Sequence, residues 1–352
     1  MIGNRLKLAR NAAGLSLRGL QATADNRVTA QAIGKYERNE SMPSSGVLLA
    51  LASALQVTPD YLLGDPALTL ESIEFRKKSS ARKKEEAHIQ ARALDLIERY
   101  LTVEEIIGPP GSDWDKPRGA PYPVRELADV ESAARALREH WNLGIDPIPN
   151  LTELLEDRGV KLLVVDLENI DGVSATAYRD QRRPVPVIVV KQNCPGERQR
   201  FNLAHELAHL ALSVEAGVDP EKAAHRFAGA FLAPREALLA VVGNHRRSIS
   251  LGELFSLKKL FGMSAQALTY RCHDLGIISE SLFRSIFKQI SVRGWRRDEP
   301  AALPHERPSR FERLCYRALS EGLLSESKTA ELLGVTVLEL NRNMEEPQVL
   351  GR

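Results

Sequence analysis

The sequence predicts a mainly α protein with a small sheet: an all-α N-terminal unit, an α+β middle and a helical C-terminal part. Three observations predict it. Apolar residues recur at helical spacing over most of the 352-residue chain. Three strand-like runs, Val160 to Leu167, Gly172 to Tyr178 and Val185 to Val190, fall close together in the middle. Helical patterns flank them on both sides, which suits an α+β arrangement.

The N-terminal unit, residues 1–66, reads as five short helices. Ile2, Leu6, Leu8 and Ala9 recur at helical spacing in the first, which Gly14 stops. Ser16 caps a helix through Ala24, Asp25-Asn26 makes a turn, and Thr29 caps a helix over Ala30 to Glu37. Ser44-Ser45 opens a fourth helix carrying Val47, Leu48, Leu51, Ala52 and Leu55. Thr58-Pro59 starts a last short turn, and Gly64-Asp65-Pro66 ends the unit.

Residues 67–123 form a connector. Residues 71–107 are highly charged and expected to be helical, while 108–123 hold Pro109, Pro110, Pro117, Pro121 and Pro123 and read as linker or surface loop. Arg76 to Lys84 carries six basic residues and no acid; a solvated helix face or linker is the plainer reading, a phosphate-contacting patch the sharper one.

Residues 124–249 form the α+β domain. Glu126 to Trp141 is helical with Ala134, Leu137 and Trp141 on one side, and Leu151 to Asp157 is a short helix closed by Gly159. After the three strands, helices are expected over about Gly196 to Val214 and Glu221 to Val242. In the C-terminal region, 250–352, residues 250–290 are helical with a break at Gly262-Met263-Ser264. Residues 291–310 look loose and 311–345 return to helix.

Charge excludes little, since 48 Lys+Arg against 46 Asp+Glu leaves a formal net charge of +2. No run approaches 18 apolar residues, so no transmembrane helix is expected, and the N-terminus lacks the pattern of a secretory signal, which makes the cytoplasm the expected location. Cys194, Cys272 and Cys315 are far apart and odd in number, so no disulfide scaffold or CxxC pair is expected.

The sharpest chemical signal is Phe201-Asn202-Leu203-Ala204-His205-Glu206-Leu207-Ala208-His209-Leu210. Positions i and i+4 of a helix lie one above the other, so His205 and His209 can present imidazoles to one metal ion. Glu206, beside the first histidine, can act as general base on a water bound to that metal. Zn2+ suits imidazole plus carboxylate with one position left open. With 8 His in 352 residues, about 0.02 chance matches to this spacing are expected, so coincidence is a poor account.

A third ligand is needed. Asp219-Pro220 reads as an N-cap followed by proline at the first helical position, which puts Glu221 on the first turn of a new helix. Ala224 and Ala228 lie on the same stripe and permit close helix approach, placing Glu221 to reach the histidines. His225 is the rival, and dipole stabilisation alone is the plainer role for Glu221. Tyr178, His225 and His245 can each donate to an oxyanion, with ordinary packing the plainer reading. Cys194 can ligate and block the site, with a small buried thiol the plainer reading.

The second signal is residues 14–63, where a short helix, the turn at Asp25-Asn26 and a second short helix at Thr29 to Glu37 match a helix-turn-helix, with a generic helical bundle that does not touch DNA as the plainer reading. In such a pair the second helix enters the major groove of double-stranded DNA N-terminus first. Thr29, Ala30, Gln31 and Lys35 are the exposed reading positions. Gln31 can bond bidentately to adenine, and Lys35 and Arg38 can touch phosphate or guanine. Ile33 and Tyr36 face the core.

Val28-Thr29-Ala30-Gln31-Ala32-Ile33-Gly34-Lys35-Tyr36-Glu37-Arg38, with Pro43-Ser44-Ser45 and Gln56-Val57-Thr58-Pro59-Asp60-Tyr61-Leu62-Leu63, resembles the Cro/C1 (XRE-type) helix-turn-helix family. Arg198 to Leu210, together with Glu221-Lys222-Ala223-Ala224-His225-Arg226-Phe227-Ala228 and Leu232-Ala233-Pro234, resembles the ImmA/IrrE family of zinc metallopeptidases. The resemblance implies a zincin-like fold for the middle domain and makes Glu221 the third zinc ligand. Two positions depart from the family pattern: Ala208 stands where Gly is common, and His225 where Asn or Asp is common. Fusions of these two modules resemble bacterial or phage regulators and imply limited proteolysis of a repressor protein. Cro/C1-like domains often act as homodimers, although no dimer seam is identifiable. Leu257 to Gly276 echoes a second helix-turn-helix, with plain helical packing the preferred reading.

The expected function is therefore a DNA-binding transcriptional regulator with a gluzincin-like zinc endopeptidase domain that cleaves a repressor. The alternatives are a regulator whose zincin-like domain senses a ligand or metal and does not cut, and an antitoxin-like repressor with a structural metal site. An intact Glu206 favours the first, because a structural metal site has no need of a neighbouring general base.

Overall fold

The computed structural model describes residues 2–63, 68–75, 83–108, 113–165, 172–179 and 183–345. The chain divides into two compact units. Met1–Ser112, Thr176–Val185 and Ser309–Arg352 form the first, Asp113–Ala175 and Pro186–Pro308 the second.

The first unit begins with α1 (Ile2–Ala12), α2 (Leu17–Thr23), α3 (Ala30–Glu37), α4 (Ser45–Leu55) and α5 (Pro59–Leu63). These follow the expected boundaries because the caps act where the sequence puts them. Ser16 Oγ accepts from the Gly19 amide at 3.0 Å, and Thr29 Oγ1 from the Ala32 amide at 3.2 Å. Asp25 and Asn26 adopt left-handed φ values of 52° and 56°, which short polar side chains tolerate and which fold α3 back across α2. Leu6, Leu20, Ile33, Leu51 and Leu62 make a dry core. Gly3 is required where α1 passes the end of α3: a Cβ there would lie 2.5 Å from Glu37 O. Arg10 forks onto Glu37, Nη2 to Oε2 at 2.9 Å, and donates to Leu15 O at 2.8 Å, so one side chain ties α1 to α3 and to the turn before α2.

Then come β1 (Leu68–Phe75) and α6 (Lys83–Ile107). The helical connector expected from residue 71 therefore starts later, at Lys83. Leu68-Thr69-Leu70 and Ile73-Glu74-Phe75 alternate apolar with polar, a strand signal that the charge content of the segment obscured. Gly64 to Pro66 and Arg76 to Arg82 lie outside the described residues.

The second unit contains β2 (Tyr122–Val124), α7 (Asp129–His140), α8 (Leu151–Asp157), β3 (Lys161–Val165), β4 (Gly172–Arg179) and β5 (Arg183–Lys191). It continues with α9 (Gly196–Ala211), β6 (Leu212–Val214), α10 (Pro220–Leu232), α11 (Arg235–Val242), α12 (Leu251–Phe261), α13 (Ala265–Asp274) and α14 (Glu280–Val292). The β4 and β5 strands extend into the first unit by their Thr176–Arg179 and Arg183–Val185 ends. In the sheet, β5 lies between β4 and β3 and runs parallel to β3, with Leu163 opposite Val189. Val187, Ile188, Val189 and Val190 are all buried, as a strand covered on both faces requires.

Three expectations differ in detail. The Pro-rich stretch ends in a strand, since Tyr122–Val124 pairs in parallel with Leu212–Val214. The long helix expected to Val214 stops at Ala211 for the same reason. The segment 221–242 is two helices, broken at Pro234, whose missing amide cannot continue α10. Around Gly262, a left-handed C-cap (φ 66°), α12 and α13 have the outline of a helix-turn-helix, but Lys258 and Arg271 are buried and Leu268 and Cys272 face the core, so this pair is helical packing.

Two buried arginines hold the far end of α10. Arg138 donates to Phe231 O at 2.6 Å and Arg271 to Ala233 O at 3.1 Å, capping carbonyls that the helix leaves open. Burial pulls Arg138 down to about 10, only partly opposed by Asp146. Glu131 on α7 accepts from Arg271 Nη2 at 2.9 Å and from Arg226 Nε at 3.3 Å. Burial alone would raise the Glu131 carboxyl, but the two guanidinium groups hold it below its ordinary value.

Residues 299–306, expected to be loose, are strapped onto the start of α9. Buried Lys258 binds Glu197 at 2.6 Å and Glu299 at 2.9 Å, while the Leu303 amide reaches Glu197 Oε2 at 2.9 Å. Arg200 pairs with Glu306, and Gln199 and Glu306 exchange side-chain and backbone hydrogen bonds at 2.8 and 2.9 Å.

The chain returns to the first unit with α15 (Arg310–Ser320), α16 (Glu326–Leu333) and α17 (Val337–Glu345). Tyr100 and Val103 of α6 pack with Leu314, Cys315, Ala318 and Leu332. Tyr100 stacks on Phe311 at 5.3 Å, and Arg99 donates to Glu331 O at 3.0 Å. Arg5 of α1 pairs with Glu98 of α6. Among the described residues no helix is long and apolar enough to cross a membrane.

The strap yields a stability prediction. Lys258→Met leaves Glu197 and Glu299 as buried carboxylates without their cation, so denaturant unfolding should show a loss of about 3–5 kcal/mol. A loss below about 1 kcal/mol would remove this ion group from the account of how α9 is held.

Candidate metal centre

The α9 helix carries the site. Its N-terminal half is fixed by the strap, and Leu203, Ala204, Leu207, Ala208 and Ala211 face the core. His205, Glu206 and His209 therefore occupy known positions on a helix that cannot turn. His205 and Glu206 are fully buried, and the His209 side chain is 11% exposed.

The α10 helix packs along α9 through small residues. Ala223, Ala224 and Ala228 are buried against the same core as Ala204 and Ala208. Such side chains let helix axes approach to the short end of the usual range of about 8–10 Å. Asp219 caps α10, its Oδ1 accepting from the Glu221 and Lys222 amides at 2.9 and 3.3 Å, and Pro220 follows at the first helical position. The cap fixes the first turn, and with it Glu221, a half-exposed side chain that leans over the histidine pair.

The three side chains converge. His205 Nε2 and His209 Nε2 are 3.1 Å apart, and Glu221 Oε2 and Oε1 lie 3.6 and 3.5 Å from them respectively. Four-coordinate Zn2+ with bonds of about 2.0–2.1 Å separates its ligand atoms by roughly 3.3 Å. The triangle has that size, and its donors are two imidazole nitrogens and one carboxylate oxygen. Among the described residues this is the group of His, Cys, Asp or Glu able to hold an ion. The residues therefore fit the metal that the motif implies.

The rivals fall elsewhere. His225 is outside the convergent group; its ring meets the His205 ring edge-on at 4.6 Å and 77°, and lies 5.7 Å from Phe201. Asp219 is engaged as the cap. His245 is exposed beyond the end of α11. The Tyr178 side chain lies outside the described residues. Cys194 is half-buried before α9 with its thiol donating to Lys191 O at 3.6 Å. Burial pushes the Cys272 and Cys315 thiols up to about 11 and 12, which keeps both protonated and poor nucleophiles.

Gly172, at the start of β4, is a residue that sequence reading passed over. A Cβ there would sit 3.0 Å from Glu206 Oε1 and 3.2 Å from its Cγ, so the bare backbone forms one wall of the carboxylate's pocket. A glycine opening a strand pattern was the available signal, since it marks close approach of another group.

On the helix-turn-helix, Thr29, Gln31, Lys35 and Arg38 are exposed and Ala30 is half-exposed, while Ile33 is fully buried and Tyr36 packs partly against the core. The Arg38 guanidinium forks onto Glu40 at 2.5 and 3.0 Å, so a phosphate must compete with that carboxylate. Sequence reading also passed over Gln21: its Oε1 accepts from the Ala30 amide at 2.9 Å and its Nε2 donates to Asn26 Oδ1 at 3.2 Å. It locks the start of α3 to α2 and to the turn between them.

Comparison with known families agrees with both halves. Residues 6–62 match the helix-turn-helix family, and residues 155–273 match the peptidase family described as the IrrE N-terminal-like domain. No curated protein gives a significant match to the chain. The chain thus joins a Cro/C1-type helix-turn-helix to an IrrE-like peptidase domain.

Enlarging the Glu206 wall should separate metal binding from turnover. Gly172→Val should keep about one metal ion per chain, measured by elemental analysis, and lower any peptidase activity at least tenfold. Equal activity would remove Gly172 from the positioning of Glu206.

Proposed function

We propose that this chain is a DNA-binding transcriptional regulator, acting in the cytoplasm, whose second domain is a zinc-dependent endopeptidase that cleaves a repressor protein. One observation carries the reading. Two imidazoles and a carboxylate converge to the size of a zinc coordination shell, and a second, buried carboxylate stands next to the first histidine on the same helix.

His205, His209 and Glu221 would hold the ion in this reading. Zinc, when bound, supplies a Lewis acid that polarises the scissile carbonyl and makes water acidic near neutral pH. Glu206 accepts the proton of the attacking water and returns it to the departing amine. Hydrolysis then consumes one water and yields a carboxylate and an amine. Gly172 keeps the Glu206 carboxylate in line by leaving no side chain to displace it. His225, edge-on to His205, limits how far that imidazole can swing.

The first domain reads DNA in this proposal. Thr29, Ala30, Gln31 and Lys35 lie at the start of α3 and along its exposed face, the part of a recognition helix that enters the major groove. Gln31 suits an adenine edge, and Lys35 and Arg38 suit phosphate or guanine. A two-fold operator with half-sites about 34–36 Å apart is the expected target if the chain acts as a homodimer.

Two variants test this. Glu206→Gln should retain metal and lose cleavage of the repressor by about 10²-fold or more, whereas His205→Ala should lose both metal and cleavage. Cleavage by Glu206→Gln at the parent's rate would leave a regulator that senses without cutting. Gln31→Ala should relax preference at one base pair by about 1–3 kcal/mol in competition binding. An unchanged preference profile would remove Gln31 from base readout.

A further inference from the structure

The segment from Arg284 to Arg297 holds five basic residues, Arg284, Lys288, Arg293, Arg296 and Arg297, and no acid. All five are exposed. Helix α14 buries Ile286 and Ile290 and turns the opposite arc outward. On that arc, Arg284 and Lys288 stand one turn apart, interleaved with Ser281, Ser285 and Ser291.

Four of the five charges on this face have no carboxylate partner among the described residues. Among the described residues only Arg284 of the five pairs with a carboxylate, Glu280, which is shared with His273. Arg296 is held by neutral groups: it donates to Ser291 Oγ at 2.6 Å and lies 5.8 Å from the Phe287 ring. Arg293 donates to Gln289 O at 3.1 Å and lies 5.4 Å from the Trp295 ring. Neutral anchors orient a guanidinium while leaving its charge available.

The helix-turn-helix has no larger supply of unpaired cations among the described residues, four in each case. Of its seven cations between residues 2 and 40, Arg5, Arg10 and Arg38 are tied to Glu98, Glu37 and Glu40. Non-specific affinity for a duplex comes almost entirely from cations set against phosphates.

We propose that the outer face of α14 and the turn after it form a second, sequence-independent surface for the phosphate backbone of double-stranded DNA. Arg284, Lys288 and Arg296 contact phosphates, and the Ser281 and Ser285 hydroxyls donate beside them. The peptidase domain is then a DNA-bound module in its own right. This surface is independent of α3, and its loss leaves sequence preference intact.

The test uses the full-length, metal-loaded chain and a duplex of random sequence, with affinity measured across a salt series. Each phosphate contact contributes about 0.9 to the slope of log K against log salt. Arg284→Ala/Lys288→Ala/Arg296→Ala should lower the slope by about two to three and weaken binding at 0.1 M salt at least tenfold. Its operator preference over random duplex should stay at the parent value. Arg284→Lys/Arg296→Lys should restore the slope of a wild-type surface, and an unchanged thermal midpoint shows that α14 remains folded. An unchanged slope in the triple alanine variant overturns the proposal. So does an unchanged slope with slower repressor cleavage, which assigns the face to an acidic protein. A parent that binds duplex without sequence preference, with a slope that the triple variant lowers, keeps this surface and rejects the reading by α3.

Discussion

Everything at the candidate metal centre depends on the close packing of α10 against α9. An imidazole pair one helical turn apart comes from a single helix, but the third donor must arrive from another. A carboxylate reaches both Nε2 atoms at 3.5 and 3.6 Å only because alanines line the contact and because Asp219 fixes the first turn of α10. Larger residues at 204, 208, 224 or 228 would push the helices apart and carry Glu221 away from the two histidines.

That packing is held at both ends by buried charge. At the C-terminal end of α10, Arg138 and Arg271 satisfy open carbonyls, and Glu131 joins Arg271 to Arg226. At the N-terminal end of α9, Lys258 sits between Glu197 and Glu299, and Arg200 pairs with Glu306. Desolvated charges of this kind add little net stability, but each is expensive to separate from its partner. They therefore restrict which arrangements the helices can adopt. A site with ligand tolerances of a few tenths of an ångström benefits from that restriction more than from added stability.

What could be read from the sequence follows from what is local. The caps at Ser16, Thr29 and Asp219 and the turn at Asp25-Asn26 act through hydrogen bonds between neighbours, so their elements begin and end where the residues indicate. The spacing of His205, Glu206 and His209 is likewise a property of one helix. Non-local pairings were hidden. Tyr122–Val124 and Leu212–Val214 are three residues each, too short to show a period, and pair across about ninety positions. The strap at 299–306 lies in a stretch rich in Arg, Pro and Glu that reads as loose, and only the fold brings Lys258 and Arg200 to its acids. Gly172 carried a signal, but its meaning required knowing that Glu206 lies against it.

The two departures from the family pattern can be read in the same physical terms. Ala208 replaces a common glycine at a fully buried position among other alanines, so its methyl group fills the contact without widening it, and alanine stabilises the helix relative to glycine by about 1 kcal/mol. His225 has a different consequence. Its ring is set edge-on against His205 and tilted over Phe201, outside the convergent donors. An imidazole there offers a hydrogen-bond donor at the rim of the site, which a smaller amide or carboxylate would place differently. It also sets an aromatic edge against the His205 ring. The substitution thus leaves the convergent group of His205, His209 and Glu221 untouched and falls on its surroundings.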